Sequence, residues 1–215
     1  MAIGFSAFIT DLCFGVFAVL FNTQIMRYLG PAALAVYGVA NSVALIIQTV
    51  AYGVGNASQP IISVNYGAKR FDRIHETTRI GAGITGVLGL LSAGFTILFS
   101  GQITRLFMNA TPEVLQIASF GLRVYFCSFA LLYFNIFTSY YFQSIMKFKI
   151  STLLSVLRGL VVSGVLILCL PLVAGGNAIW WTMPITEAVI GVLSVALLKK
   201  FAAGKGLTPA SPANQ

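Results

Sequence analysis

Charge is what this sequence has least of. Only 8% of its 215 residues are charged, with five acidic groups and one histidine, whereas a soluble domain carries about 25% charged residues to keep its surface in water. That scarcity excludes water as the main solvent. Five scattered carboxylates supply no pair suited to hydrolysis, and no Ser/His/Asp arrangement, Cys/His metal spacing or phosphate-binding glycine loop stands in their place, so no enzyme activity is expected. Cysteine is equally sparse. Cys13, Cys127 and Cys169 are odd in number and sit in apolar stretches, which excludes a disulfide framework or metal site and reads as inert packing. Long polar tracts are absent as well. A soluble catalytic domain needs on the order of 100 residues, and no polar segment approaches that, so any function lies within or between the apolar segments.

What is present is oil, arranged in six runs. Hydrophobic residues make up 58% of the chain and the mean hydropathy is +0.91. Spans are predicted at about 5–28, 34–57, 80–100, 114–143, 152–173 and 178–198, each near or above the roughly 20 apolar residues that cross a bilayer as a helix. A transmembrane β-barrel needs short alternating segments, but 84–99 is apolar on every face, so helices are the reading that satisfies the backbone in lipid. The expected fold is all-α: a polytopic membrane protein whose residues 1–200 form a six-transmembrane-helix lobe, followed by a cytoplasmic tail at 201–215 with the composition of a disordered segment. Met1–Ser6 supplies no basic residue, so the first span is expected to be retained rather than cleaved as a leader.

The net charge of +8 is placed by topology rather than by nucleic acid. With both termini cytoplasmic, the inner side receives Lys69, Arg70, Arg73 and Arg79, then Lys147, Lys149 and the nearby Arg158, then Lys199, Lys200 and Lys205. The outer side receives Arg27 and Arg105. This asymmetry follows the positive-inside rule and places the chain as a multi-pass protein of the plasma (cytoplasmic, inner) membrane with both termini inside.

Local signals divide the runs. Gly30-Pro31 predicts a tight turn between the first two spans, because proline removes a donor and restricts its predecessor. The second span is expected to end near Gly53 and Gly55, leaving a cytoplasmic loop from Asn65 to Arg79 in which Asp72 and Glu76 sit at helical spacing from basic residues, as in a short interfacial helix. Gly81, Gly83, Gly86 and Gly89 form a stripe of the kind that lets helices approach closely in lipid. Thr111, Pro112 and Glu113 spell the N-cap, first position and acidic first turn of the fourth helix. The fifth span is expected to end at Pro171, with a turn at Gly175-Gly176.

Ionisable groups inside hydrocarbon are costly and mark pathways, relays or binding sites by default. Asp11 lies inside the first span with Asn22 on roughly the same side, and is read as a site for a coupling proton or Na⁺, as a structural hydrogen bond, or as an interface group. Glu187 in the sixth span has two available counter-charges, Arg123 and Arg158, which makes a structural or cavity ion pair the favoured reading and a direct transport role the other. Tyr133, Asn135, Thr138, Ser139, Tyr140, Tyr141 and Gln143 give the fourth span a polar, aromatic face. Such a face either lines a cavity for a flat organic cation by stacking and cation–π attraction, or glues helices together. His75 reads as a solvated loop histidine.

Several stretches together resemble the multidrug and toxic compound extrusion (MATE) transporters, in the order found in the C-terminal half of MepA-like members: GVGNASQPIISVNYGAK at 53–69, YFQSIMK at 141–147, LSVLR at 154–158, Leu170-Pro171 and MPITE at 183–187. The resemblance implies a twelve-helix, two-lobed antiporter with a cavity between the lobes, of which these spans match helices seven to twelve. It implies that Asp11 stands where many members carry a coupling acid, while Asn135 stands where some carry a second carboxylate. The function so implied is a multidrug efflux lobe exporting lipophilic organic cations by antiport with Na⁺ or H⁺, with no cofactor beyond that ion. The expected partners are the bilayer, the small-molecule cations and a second six-helix lobe, supplied by another copy or a separate chain. A lipid-linked saccharide flippase of the same superfamily, favoured by an arginine-rich cavity, and a non-transporting membrane assembly subunit are the alternatives.

Overall fold

The computed structural model describes the backbone of residues 2–202 and the side chains of residues 12–201. Over that range the chain is a bundle of antiparallel helices, with no strand among the described residues. The first two runs join in α1 (Ala2–Gly67), which is divided at Gly30, where φ is 81° and ψ −176°. Only glycine occupies that region without strain, and Pro31 then restarts the helix at a position where its missing N–H costs nothing. The two arms, 2–29 and 31–67, fold back on each other, with the Phe21 and Tyr37 rings stacked at 4.3 Å.

The second arm runs on to Gly67 rather than ending near residue 57, passing through Pro60. Proline is tolerated in a membrane helix because hydroxyls and neighbouring helices take over freed backbone groups, and Ser58 Oγ here donates to the carbonyls of Val54 and Gly55 at 2.8 and 2.9 Å. The expected loop shrinks to the turn 68–70, closed by Lys69 at a φ of 55°, and α2 (Phe71–Leu98) absorbs the anticipated interfacial helix.

Beyond α3 (Ser100–Phe107), the fourth run starts as its sequence predicts, with Thr111 Oγ1 accepting from the Val114 N–H at 3.3 Å and Pro112 following. It is two helices, however: α4 (Pro112–Phe126) and α5 (Phe129–Ser144), separated where Ser128 Oγ bonds the Tyr125 carbonyl at 2.7 Å. The fifth run is α6 (Phe148–Val156), a π-helical turn at Leu157–Val161, and α7 (Val162–Ala174), which passes Pro171 to end at Gly175 with φ 79°. A 3₁₀ segment (Gly176–Trp181) leads into α8 (Thr182–Ala202). Among the described residues five stretches are long and apolar enough to cross a bilayer, the first of them divided at Gly30 into two arms.

The bundle is organised around α5, which packs on α1, α2, α6 and α8. Apolar attraction between helices vanishes in lipid, so close approach has to come from shape. A Cβ on Gly81 would sit 2.4 Å from the Phe137 ring, one on Gly89 2.6 Å from the Ala130 carbonyl oxygen, and one on Gly121 2.4 Å from Trp180. Half of the predicted glycine stripe is therefore an interface. Gly83 and Gly86 face open space.

That division makes a paired prediction. Gly89→Ala drives a methyl into backbone that cannot yield and should cost about 1–3 kcal/mol; Gly83→Ala, on the same helix with nothing within 4 Å, should be neutral or gain up to about 1 kcal/mol from helix propensity. Thermal unfolding of the two variants in detergent, read against the parent chain, checks both; equal melting temperatures would show that α2 does not dock on α5 at Gly89.

Candidate functional site

Three helices converge on one buried carboxylate. Glu187 begins the second turn of α8 and is 0% exposed; Arg158, in the π-helical turn, is 8% exposed. Arg158 Nε donates to Glu187 Oε1 at 2.7 Å. From the centre of the bundle, Asn135 Nδ2 donates both to Glu187 Oε2 at 2.7 Å and to the Glu187 main-chain carbonyl at 2.9 Å. Because both of those partners are acceptors, the amide orientation is fixed by the network. The remaining amide oxygen, Asn135 Oδ1, is buried without a hydrogen bond and lies against α8, 3.7 Å from where a Cβ on Gly191 would be.

The local sequence explains how a charged side chain reaches this depth. A π turn inserts one residue into the helical ladder and re-aims the side chains around it, and here that residue block contains Arg158. Gly159 next to it lets the Phe14 ring of α1 close in, at 3.3 Å from a would-be Cβ, and the Arg158 guanidinium carbon lies 6.0 Å from the Phe14 ring centroid. The result is a charge-neutral, hydrogen-bonded knot tying α5, α8 and the π turn, capped by the Phe14 ring of α1.

Sequence reading brought Glu187 together with two arginines, and the structure selects one. Arg123 lies exposed on α4, its Nε 3.4 Å from Ser100 Oγ and not paired with Glu187. Arg158, counted among the cytoplasmic loop charges, is instead in mid-helix and neutralised. Asn135, grouped with the cavity residues, belongs to the ion pair. Its companions Tyr133, Thr138 and Tyr141, expected to line a cavity, are all buried within the lobe, because α5 is surrounded by other helices. The Tyr133 hydroxyl bonds Ser92 Oγ of α2 at 3.0 Å, Thr138 Oγ1 donates to the Phe134 carbonyl at 2.9 Å, and Tyr141 packs with Ile62, Ile74 and Phe142. Asn22 is exposed on the first arm of α1. The side chain of Asp11 lies outside the described residues. Phe14 carried no sequence signal of its own, being one aromatic residue among the many in this chain.

A model of the MatE family matches residues 7–168. The chain is 33% identical over 93 residues to a Bacillus subtilis protein described as probable multidrug resistance protein YoeA, an alignment covering 43% of this chain and 20% of that one. Among solved structures, it superposes on a MOP superfamily transporter from Pyrococcus furiosus with a TM-score of 0.87 at 18% identity, over 96% of this chain and 46% of that one. Outward- and inward-facing conformations of a multidrug resistance MATE family transporter give TM-scores of 0.86 and 0.87 at 18% and 19% identity. The chain spans less than half the length of these relatives, and the structural likeness establishes the fold.

The buried pair sets up a stability test. Glu187→Gln leaves the Arg158 charge without its counter-ion and should cost about 3–5 kcal/mol, whereas the double replacement Arg158→Met, Glu187→Leu removes both charges and should recover most of that loss. Melting temperatures of the single and double variants in detergent check it. A double variant less stable than the single would mean the pair is not the coupled unit described.

Proposed function

The chain belongs to the MatE family, and on that footing we propose that it works as one lobe of a multidrug efflux transporter, exporting lipophilic organic cations by antiport with Na⁺ or H⁺. The observation that carries the reading is the family match over 7–168, on a multi-pass membrane bundle shaped like one half of MATE transporters. Since 46% of the superposed Pyrococcus furiosus chain is covered, the proposal includes a second six-helix lobe, from another copy or a separate chain, facing this one across a substrate path.

Coupling is proposed at Asp11, with Asn22 on the same side of the helix by spacing. A carboxylate in hydrocarbon is stable when protonated or ion-bound, and exchange between those states is what an antiporter needs. Asp11 suits this role better than Glu187, whose two carboxylate oxygens are already engaged by Arg158 and Asn135. The same engagement weighs against a saccharide flippase, which calls for free arginines along the path. The orientation proposed, both termini cytoplasmic in the plasma membrane, rests on the excess of Lys and Arg at 69–79, 147–149 and 199–205 over Arg27 and Arg105.

Two measurements test this. Asp11→Asn keeps the size of the side chain but neither exchanges a proton nor presents a full charge, so ethidium flux in vesicles under an imposed Na⁺ or H⁺ gradient should fall to background while expression is unchanged; wild-type flux from the variant would remove Asp11 from the mechanism. In a cysteine-free background, Arg70→Cys in the exposed turn 68–70 should react with an impermeant maleimide only in inside-out vesicles. Reaction in intact cells would reverse the orientation.

A further inference from the structure

The second arm of α1 presents three faces, where a helix at the edge of a bundle in lipid needs only two. At 100° per residue, Ala44, Ile47, Ala51, Gly55, Ser58 and Ile62 fall on one side and are buried against the lobe. Ile46, Val50, Ile61 and Val64 fall on a second side, exposed by as much as 70% and wholly aliphatic, as a surface facing acyl chains should be. The third side carries Asn41, Gln48, Tyr52, Asn56 and Gln59, recurring every three to seven residues along the arm, each exposed or half-buried, with the exposed Leu45 among them and Ser63 turned back onto the Pro60 carbonyl at 3.2 Å. Amide side chains have no partner in hydrocarbon, so this third face does not meet lipid.

Two further features mark it as a contact surface rather than a seam for another helix. Pro60 supplies no N–H, so the Asn56 carbonyl on this face lacks its usual helical donor. The Tyr140 ring of α5 lies in contact with Gly55, where a Cβ would be 2.6 Å from Tyr140 Cδ2, and so comes to rest 6.3 Å, centroid to centroid, from the Tyr52 ring at a tilt of 50°. A packed aromatic pair thus stands among uncharged amides. Aromatic faces and amides without a fixed charge recognise flat aromatic cations by stacking and cation–π attraction rather than by a single ion pair.

We infer that the third face of the second arm lines the substrate path, with Tyr52 and Tyr140 as the aromatic surface on which a flat organic cation stacks. This rests on the efflux-lobe reading above; of the face expected on the fourth run it keeps Tyr140, and it replaces the buried Tyr133, Thr138 and Tyr141 with the outer face of α1.

The test is cysteine accessibility in membrane vesicles from cells producing the chain, with Cys13, Cys127 and Cys169 replaced. Single cysteines at Asn56 and Gln59 should react with a charged methanethiosulfonate reagent, those at Val50 and Ile61 should not, and ethidium should slow the reaction at Asn56. Ethidium affinity, read by fluorescence, should weaken about tenfold in Tyr52→Ala and be retained in Tyr52→Phe. Equal reactivity on the polar and aliphatic faces would overturn the assignment of an aqueous face. Reactive cysteines that ethidium does not protect, with unchanged affinity in Tyr52→Ala, would overturn the substrate contact. Protection and weakened binding without gradient-driven efflux would uphold this inference and remove the antiport reading instead.

Discussion

Hydrocarbon offers a buried charge no water and no counter-ion, so whatever charge the chain carries into its bundle has to be answered from inside. The Arg158–Glu187 pair is where this protein meets that demand. Pairing alone leaves lone pairs and donors over, and Asn135 supplies the additional hydrogen bonds, reaching both a carboxylate oxygen and the α8 backbone. Breaking such an arrangement costs more than never having built it, so the pair fixes which helices sit together: α8 and the π turn are held to α5, and Phe14 of α1 is held over the guanidinium.

The same constraint shapes the rest of the bundle in quieter ways. Hydroxyls that would be stranded in lipid turn back on their own helices, as Thr85, Thr96 and Thr104 do by donating to carbonyls four residues earlier. Attraction between helices comes from contact, so glycine is placed where ring or backbone must come close, opposite Phe137, Ala130, Tyr140 and Trp180. Helix irregularities fall where side chains need re-aiming: at Gly30 to reverse the chain, at Ser128 to bend between α4 and α5, and at the π turn to carry Arg158 inward.

Amide side chains that are not paired inside the lobe have to meet something other than lipid. On the second arm of α1 Asn41, Gln48, Asn56 and Gln59 are gathered on one side, between a buried face and an aliphatic one. The superposed chains are more than twice as long as this one, and on the proposed reading a second lobe faces that side.

The sequence by itself determined the solvent, the helical class, the family, and each feature governed by local chemistry. Gly30 before Pro31, the Thr111 cap and the Gly175 turn were legible because glycine, proline and capping residues act through their own backbone and the few residues beside them. The polar face of α1 was legible in principle, as a 3.6-residue period. Local rules misread the second arm, since a proline and two glycines look like a helix end until Ser58 and α5 are in place to support the strand of backbone they weaken. What only the tertiary structure decided was pairing: that Glu187 takes Arg158 and not Arg123, that Asn135 serves the carboxylate rather than a cavity, and that Tyr133 and Tyr141 point inward while Tyr140 points out. Those outcomes depend on which helices become neighbours and on how a π turn rotates one of them, and distances between residues dozens of positions apart in the chain are set by packing, not by spacing.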